Sequence, residues 1–147
     1  MQNQGVILLV EDDPDAVLLM RKAFEAASIA NPLRVVGDGD DLIAYLSGAA
    51  PYDDRQENPQ PTMVLLDLKL PRKSGFELLE WVRKSPKLTR LIMVVLTSSR
   101  ETKDISKAYA LGANSYLVKP TSFHDLVDLV KMLKSYWLAH NQFPGPV

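Results

Sequence analysis

Short apolar runs alternate along the chain with longer stretches in which apolar residues recur every three or four positions. Val6–Val10, Leu33–Gly37, Met63–Leu66, Leu91–Leu96 and Ser115–Val118 are short and rich in Val, Ile and Leu. Strands covered on both faces read this way. Between the first two runs, Val17, Met20, Phe24 and Ala27 fall at helical spacing. Asp40–Ser47, Gly75–Lys84 and Thr102–Leu111 read as shorter helices, and Phe123–Ala139 as one long final helix. Gly112 stands where a helix would stop, and Pro120 follows the fifth run. Five alternations of strand and helix predict an α/β architecture, a doubly wound five-stranded parallel sheet with five helices.

One segment breaks the rhythm. Pro51–Pro61, PYDDRQENPQP, is polar and proline-bearing and reads as an exposed loop. The strand–helix rhythm resumes after it, so it does not mark a domain boundary. The expectation is a single domain over 1–147, with a core over about 6–139, a short tail over 140–147 and no output domain. A net charge of −1, from 17 basic and 18 acidic residues, offers no electrostatic footprint for nucleic acid. The chain has no cysteine, which excludes disulfides, thiolate metal sites and a cysteine nucleophile. It shows neither a signal peptide at its start nor an apolar run long enough to span a membrane, so a cytoplasmic location is expected.

The first strand runs into an acidic cluster, Glu11, Asp12, Asp13 and Asp15, whose mutual repulsion must be offset by something. Part of the cluster has a structural use. Asp13 suits a helix N-cap, Pro14 the first helical position, and Asp15 the positive end of the helix dipole. Glu11 and Asp12 are left without a capping task. In open α/β sheets, ligands bind beyond the carboxyl ends of the strands, where the strand order reverses. For the order 2-1-3-4-5 that point lies between strands one and three. Strand three ends in Val64-Leu-Leu-Asp67, which would set Asp67 beside Glu11 and Asp12. Three carboxylates in one crevice suit a hard cation, with Mg²⁺ keeping several waters. Strand four brings the hydroxyl of Thr97 and strand five the ammonium of Lys119. A carboxylate nucleophile, a divalent metal, a hydroxyl and a lysine are what phosphoryl transfer to an aspartate requires.

The stretches VEDD, LLDLKLPRKSG, VVLTSS and YLVKP resemble, in order, the motifs of the response-regulator receiver domain of two-component signalling. The resemblance runs from about Val6 to Ala139. The intervals of 30 residues from Asp67 to Thr97 and 22 from Thr97 to Lys119 fit that family. The interval of 55 from Asp12 to Asp67 is longer than usual, and the Pro51–Pro61 loop accounts for the excess. The resemblance implies a flavodoxin-like fold with Asp67 as phosphoacceptor. It further implies that Asp12 binds Mg²⁺ directly, Glu11 through a water, and the backbone carbonyl of Lys69 as a third protein ligand. Thr97 and Lys119 would contact the phosphoryl group. Thr97 and Tyr116 would form a switch pair, the hydroxyl turning to the phosphate and the ring filling the vacated space.

The resemblance implies a histidine kinase as phosphodonor, and since neither His124 nor His140, the only histidines, sits at a strand end, the donor histidine should be on another protein. The segment KSYWL, the proline-bearing tail and the long loop are similar to stand-alone regulators that pair with cyanobacterial phytochrome kinases. Two other readings compete. A phosphorylation-independent pseudo-receiver would not need the intact set of acids, threonine and lysine. An aspartyl-phosphate phosphatase of the haloacid dehalogenase type would want an acid two residues after the nucleophile, where this chain has Lys69. The expectation is therefore a signalling protein and not an enzyme.

The last helix carries two apolar stripes. Phe123, Leu126, Val130, Leu133 and Trp137 are expected to face the sheet. Leu129, Met132 and Tyr136 form an adjacent stripe that a monomer would leave in water, continued by Leu138 and Phe143 in the tail. Scattered exposed apolar residues are common. Three on successive turns read as a homodimer interface through the last helix.

Overall fold

Five parallel strands form the middle layer of the computed structural model, which describes residues 5–144. The last three residues of the expected tail, 145–147, lie outside the described residues, as do residues 1–4 of the expected domain. The strands are β1 (Ile7–Val10), β2 (Leu33–Val36), β3 (Met63–Leu66), β4 (Ile92–Thr97) and β5 (Ser115–Val118). They follow one another across the sheet as β2-β1-β3-β4-β5, the order expected, with every neighbouring pair parallel. Successive side chains point to opposite faces, so each strand feeds two cores. Leu8, Val10, Val64 and Leu66 face one core, with Leu42, Tyr45, Leu78 and Leu79 packed over them from α2 (Gly39–Ser47) and α3 (Gly75–Lys84). Ile7, Leu9, Met63 and Leu65 face the other, covered from α1 (Pro14–Ala26) and α5 (Phe123–Leu133) by Met20, Phe24, Val130 and Leu133.

The helix starts obey local chemistry. Asp13 accepts the Asp15 amide at 3.0 Å, and Pro14 occupies the first helical position of α1. Asp38, Ser74 and Ser122 cap α2, α3 and α5 in the same way. Helix α4 (Thr102–Ala110) lacks a capping side chain at Glu101, and the Ser99 hydroxyl accepts the Glu101 amide instead.

The long loop is less open than its composition suggests. The Tyr45 hydroxyl donates to the Pro59 carbonyl at 2.9 Å, and Arg55 donates to the carbonyls of Tyr45 and Tyr52 and to Gln60. The Tyr52 ring lies tilted on Tyr45, centroids 5.0 Å apart, and Pro61 is buried. Polar residues here serve the loop's own backbone rather than solvent alone.

The last helix departs furthest from expectation. Helix α5 ends at Leu133, and Lys134–His140 continue as a wider π-helix, its last turn closed by the Asn141 amide donating to Tyr136 O at 2.6 Å. The wider turn brings residues five apart onto one face. Leu133 and Leu138 are accordingly both buried, so Leu138 is core and not the exposed tail residue expected. Trp137 is half-buried beside the same core, and Leu129 packs against it too. Phe123, expected to face the sheet, is 42% exposed: it sits in the first turn past the β5–α5 loop and packs into neither core. Of the second stripe, Met132 and Tyr136 remain in solvent. Lys134 donates to the carbonyls of Ala27 and Ser28 and so closes the end of α1 from the last helix.

Among the described residues no helix is long and apolar enough to cross a membrane. One polar side chain ties α3 to the far ends of β4 and β5. Arg83 donates to the carbonyls of Gly112, Thr89 and Leu91 and to Asn114 Oδ1, at 2.7–3.1 Å. Gly112 is needed for more than ending α4. With φ at +104° it adopts a left-handed conformation, and a Cβ there would lie 2.6 Å from the Arg83 side chain. Arg83→Ala would strand several partly buried acceptors, and it is expected to cost about 2–4 kcal/mol. Urea unfolding should show this. Arg83→Lys should recover only a minor part, because one ammonium cannot reproduce the planar fork.

Candidate functional site

The register fixes which side chains meet. Val10 pairs with Leu66 in the β1–β3 ladder, so the next residues, Glu11 and Asp67, leave the sheet side by side. Backbone bonds carry the alignment past the strand ends: the Glu11 amide donates to Val36 O, the Asp67 amide to Val10 O, and the Lys119 amide to Thr97 O. Glu11, Asp67, Thr97 and Lys119 thus come from four strands to one end of the sheet. That end is the one chosen by the strand-order argument.

Lys119 is the centre of the cluster. Its ammonium bonds Glu11 Oε1 and, at 2.9 Å, Asp67 Oδ2. The Lys119 side chain is 26% exposed, against 5% for Glu11 and 12% for Asp67. Burial alone would pull the lysine down. The hydrogen bonds and charges of the two carboxylates outweigh it and hold the ammonium above the ordinary lysine value. The other Glu11 oxygen accepts the amides of Asp12 and Asp13 at 3.1 and 3.3 Å. Glu11 thus accepts three hydrogen bonds from described residues. Its carboxylate is held between a lysine and the turn that opens α1.

Asp12 is exposed, and no described residue bonds to its carboxylate. Asp67 Oδ1 accepts the Lys69 amide at 3.1 Å, a short turn at the end of β3 that leaves Lys69 exposed. Glu11, Asp12 and Asp67 do not gather their oxygens within 4.8 Å of one another, because Lys119 occupies the space between two of them. A set that does, His124, Asp125 and Asp128, is wholly exposed in the first turns of α5. The donors around Asp67 are all oxygens, and one carboxylate is unengaged. That chemistry fits a hard divalent cation held by Asp12, Asp67 and the Lys69 carbonyl.

Thr97 is fully buried, and its hydroxyl has no hydrogen-bond partner among the described residues. A buried unpaired hydroxyl is costly and uncommon away from functional sites. Tyr116 sits two strand positions before Val118 with its hydroxyl donating to Ser99 O at 2.9 Å. Burial pushes its phenol above the ordinary tyrosine value. Ser99 in turn donates to Asp104 in the first turn of α4, so the β4–α4 loop is tied to both α4 and β5.

Gly75 is a site residue that reasoning on charge and nucleophilicity passes over. A Cβ at this position would lie 2.5 Å from Asp67 O and 2.7 Å from Leu68 Cα. Only glycine lets the start of α3 close against the backbone that carries Asp67. The available signal was a glycine directly after the Ser74 cap, eight residues past Asp67. A cavity of about 170 Å³ between α1 and α5 is lined by Glu11, Asp67 and Lys119 on one side and by Leu19, Met20 and Leu126 on the other. The Asp67 carboxylate is therefore reachable from outside.

The comparison with known proteins agrees with this arrangement. The family model for the response regulator receiver domain matches residues 7–131. This chain belongs to that family. It is 39% identical over 141 residues to the probable methanogenesis regulatory protein FilR2 of Methanothrix harundinacea (strain 6Ac), covering 96% of this chain and 88% of that protein. It is 36% identical to the response regulator Rcp1 of Synechocystis sp. (strain ATCC 27184 / PCC 6803 / Kazusa) over 95% of this chain and 93% of Rcp1. The crystal structure of Rcp1 in its Mn²⁺-bound form superposes with a TM-score of 0.85 at 35% identity, covering 96% of this chain and 99% of that one. The phosphorylated cyanobacterial phytochrome response regulator RcpA gives a TM-score of 0.89 at 31% identity, over 97% of this receiver and all of RcpA.

In this receiver Lys119 is the positive charge that keeps Glu11 and Asp67 together. Lys119→Met leaves two inward carboxylates facing each other. Removing one partner of a buried ion pair costs about 3–5 kcal/mol, and the partial exposure here places the expected loss nearer about 2–3 kcal/mol. Urea unfolding at pH 7 with a chelator present should read that loss as a lower midpoint with an unchanged slope.

Proposed function

We propose that this receiver takes a phosphoryl group from the phosphohistidine of a histidine kinase onto Asp67 and changes its partner affinity in response. An Asp67 oxygen attacks phosphorus as the P–N bond to the donor histidine breaks, and the departing imidazole takes up a proton. Lys119, already within hydrogen-bond distance of Asp67, stays beside the incoming phosphoryl oxygens and offsets their charge. Thr97 supplies a hydroxyl whose hydrogen-bonding capacity is unused, and a phosphoryl oxygen on Asp67 would give it a partner. As that hydroxyl turns, Tyr116 would exchange its bond to Ser99 for the space released, and α4 would feel the change through Asp104. A Mg²⁺ ion held by Asp12, Asp67 and the Lys69 carbonyl, with Glu11 near by, would neutralise negative charge on the transferring oxygens.

The observation that carries this reading is the convergence of Lys119 on Asp67 at the carboxyl end of the sheet, beside an unengaged Asp12. A pseudo-receiver has no use for that arrangement. A phosphatase of the aspartyl-phosphate type lacks its second acid, since Lys69 fills that position. The likeness to Rcp1 and RcpA supports a kinase of the phytochrome type as the donor. A working place in the cytoplasm follows from such a partner.

The test is incubation with acetyl phosphate and Mg²⁺, followed by mass spectrometry. Wild type should gain one phosphoryl group on Asp67, Asp67→Asn should gain none while remaining folded, and excess EDTA should stop the reaction. Phosphate uptake by the mutant at another residue would overturn the assignment.

A homodimer through the last helix belongs to the same proposal. Met132 and Tyr136 are each 59% exposed and stand beside a cavity of about 320 Å³ that reaches the edge strand β5 at Ser115 and Leu117. Leu129 would add the flank that already leans on the core. Sedimentation should show a dimer at micromolar concentration, shifted toward monomer in Tyr136→Asp because association would bury a charge.

A further inference from the structure

The end of the sheet opposite Asp67 carries a cavity of about 220 Å³ that the phosphorylation reading leaves unused. It lies where the chain enters β3 and β4. Pro61, Leu88 and Ile92, all buried, supply its apolar lining, and the half-buried Phe143 closes one side. Phe143 is held there by its ring contact with Trp137, at 6.4 Å between centroids, so the π-helical turn helps to build the wall. Lys87 and Arg90 stand at the same cavity, and no acidic residue lines it.

These two cations differ from other basic groups in this part of the fold. Arg34, Arg55 and Arg83 all spend their guanidinium groups on backbone carbonyls. Lys87 and Arg90 form no hydrogen bond or ion pair with any described residue. Both are exposed, so their charge can meet a ligand without a desolvated pair having to be broken. Thr62, also in the lining, turns its hydroxyl to Val6 O and offers the cavity no donor. Gln60, exposed in the lining, spends its Oε1 on Arg55 and keeps only N–H donors, so this apolar pocket offers donors and positive charge and selects a molecule with an apolar body and one anionic end.

We propose that this cavity is a binding site for a small amphipathic organic anion, its hydrocarbon part over Leu88 and Ile92 and its carboxylate between Lys87 and Arg90. Size narrows the class. At about 30 Å³ for each water-sized group, the space holds roughly seven or eight heavy atoms. That is a short aliphatic or single-ring carboxylate and excludes a long-chain lipid. A ligand of that size in an open-mouthed site binds with a Kd on the order of millimolar. The site is separate from the Asp67 cluster and does not depend on phosphorylation.

The experiment is a titration of the ¹⁵N-labelled full chain with sodium hexanoate, followed by amide shifts, with 1-hexanol as the uncharged comparison. Saturable shifts are expected at residues 60, 62, 87–92 and 143, with hexanoate binding at least about fivefold tighter than hexanol. In the double variant Lys87→Gln, Arg90→Gln, hexanoate should weaken to the level of hexanol while hexanol is unchanged. Both positions are exposed, so the variant keeps the fold, and an unaltered spectrum away from the cavity will show that it does. Absence of saturable shifts, shifts confined to another face, or equal hexanoate binding by wild type and the double variant would each overturn the proposal.

Discussion

The contact between Lys119 and the carboxylates of Glu11 and Asp67 is the constraint on which this molecule turns. Two acids forced to adjacent strand ends by a parallel register would repel strongly where water is scarce. A lysine delivered by a strand two places away removes the conflict. The arrangement holds Asp67 in place and leaves Asp12 to face solvent. A divalent cation entering the site would meet Asp12 first and would then compete with Lys119 for Asp67. The lysine is thus a structural counter-ion and, under the proposed function, also the group beside the transferred phosphoryl oxygens.

Helix α3, on one face of the sheet, makes this possible from both of its ends. At its start Gly75 allows it to lie against the Asp67 backbone, closer than any side chain would permit. At the opposite end Arg83 ties α3 to the loops before β4 and β5, so the two strands that deliver Thr97 and Lys119 are fixed relative to the one that delivers Asp67. The parts left adjustable are those with few buried apolar contacts: the β4–α4 loop, held by Ser99, Asp104 and Tyr116 through single hydrogen bonds, and the exposed face of the last helix. Such segments open at lower free energy than the core strands. Under the proposed phosphorylation of Asp67, a signal would have its least costly exit there.

The widening of the last helix shows how backbone geometry redistributes roles. Under uniform α-helical spacing Leu138 would leave the core and the second apolar stripe would be broad. With the π-helical turn from Lys134, Leu138 enters the core, Trp137 and Phe143 form a wall, and Met132 and Tyr136 stay outside. One change of turn therefore narrows the exposed stripe and builds part of the cavity at the far end of β3 and β4.

What the sequence determined by itself was the pattern that any fold would have to satisfy. Doubly buried strands must be apolar throughout, and helix starts need caps, so the five strands and the capping by Asp13 were legible, while the strand order came with the fold that the motifs resemble. The acids, threonine and lysine were legible as strand-end residues because a period-two strand ending in a charged group can only point that group out of the sheet. Tertiary structure decided the pairings. Glu11 reads as free until Lys119, 108 residues away, is seen to take it. Phe123 and Leu138 carry the right hydrophobicity for either environment. Where α5 begins relative to the strand ends and how it is wound near Lys134 chose between core and solvent. Gly75 and Gly112 matter for a clearance measured against distant atoms. Composition and spacing encode what a residue can do; distances between strand ends and the winding of one helix are sums over the whole packed chain, and only the folded molecule contains them.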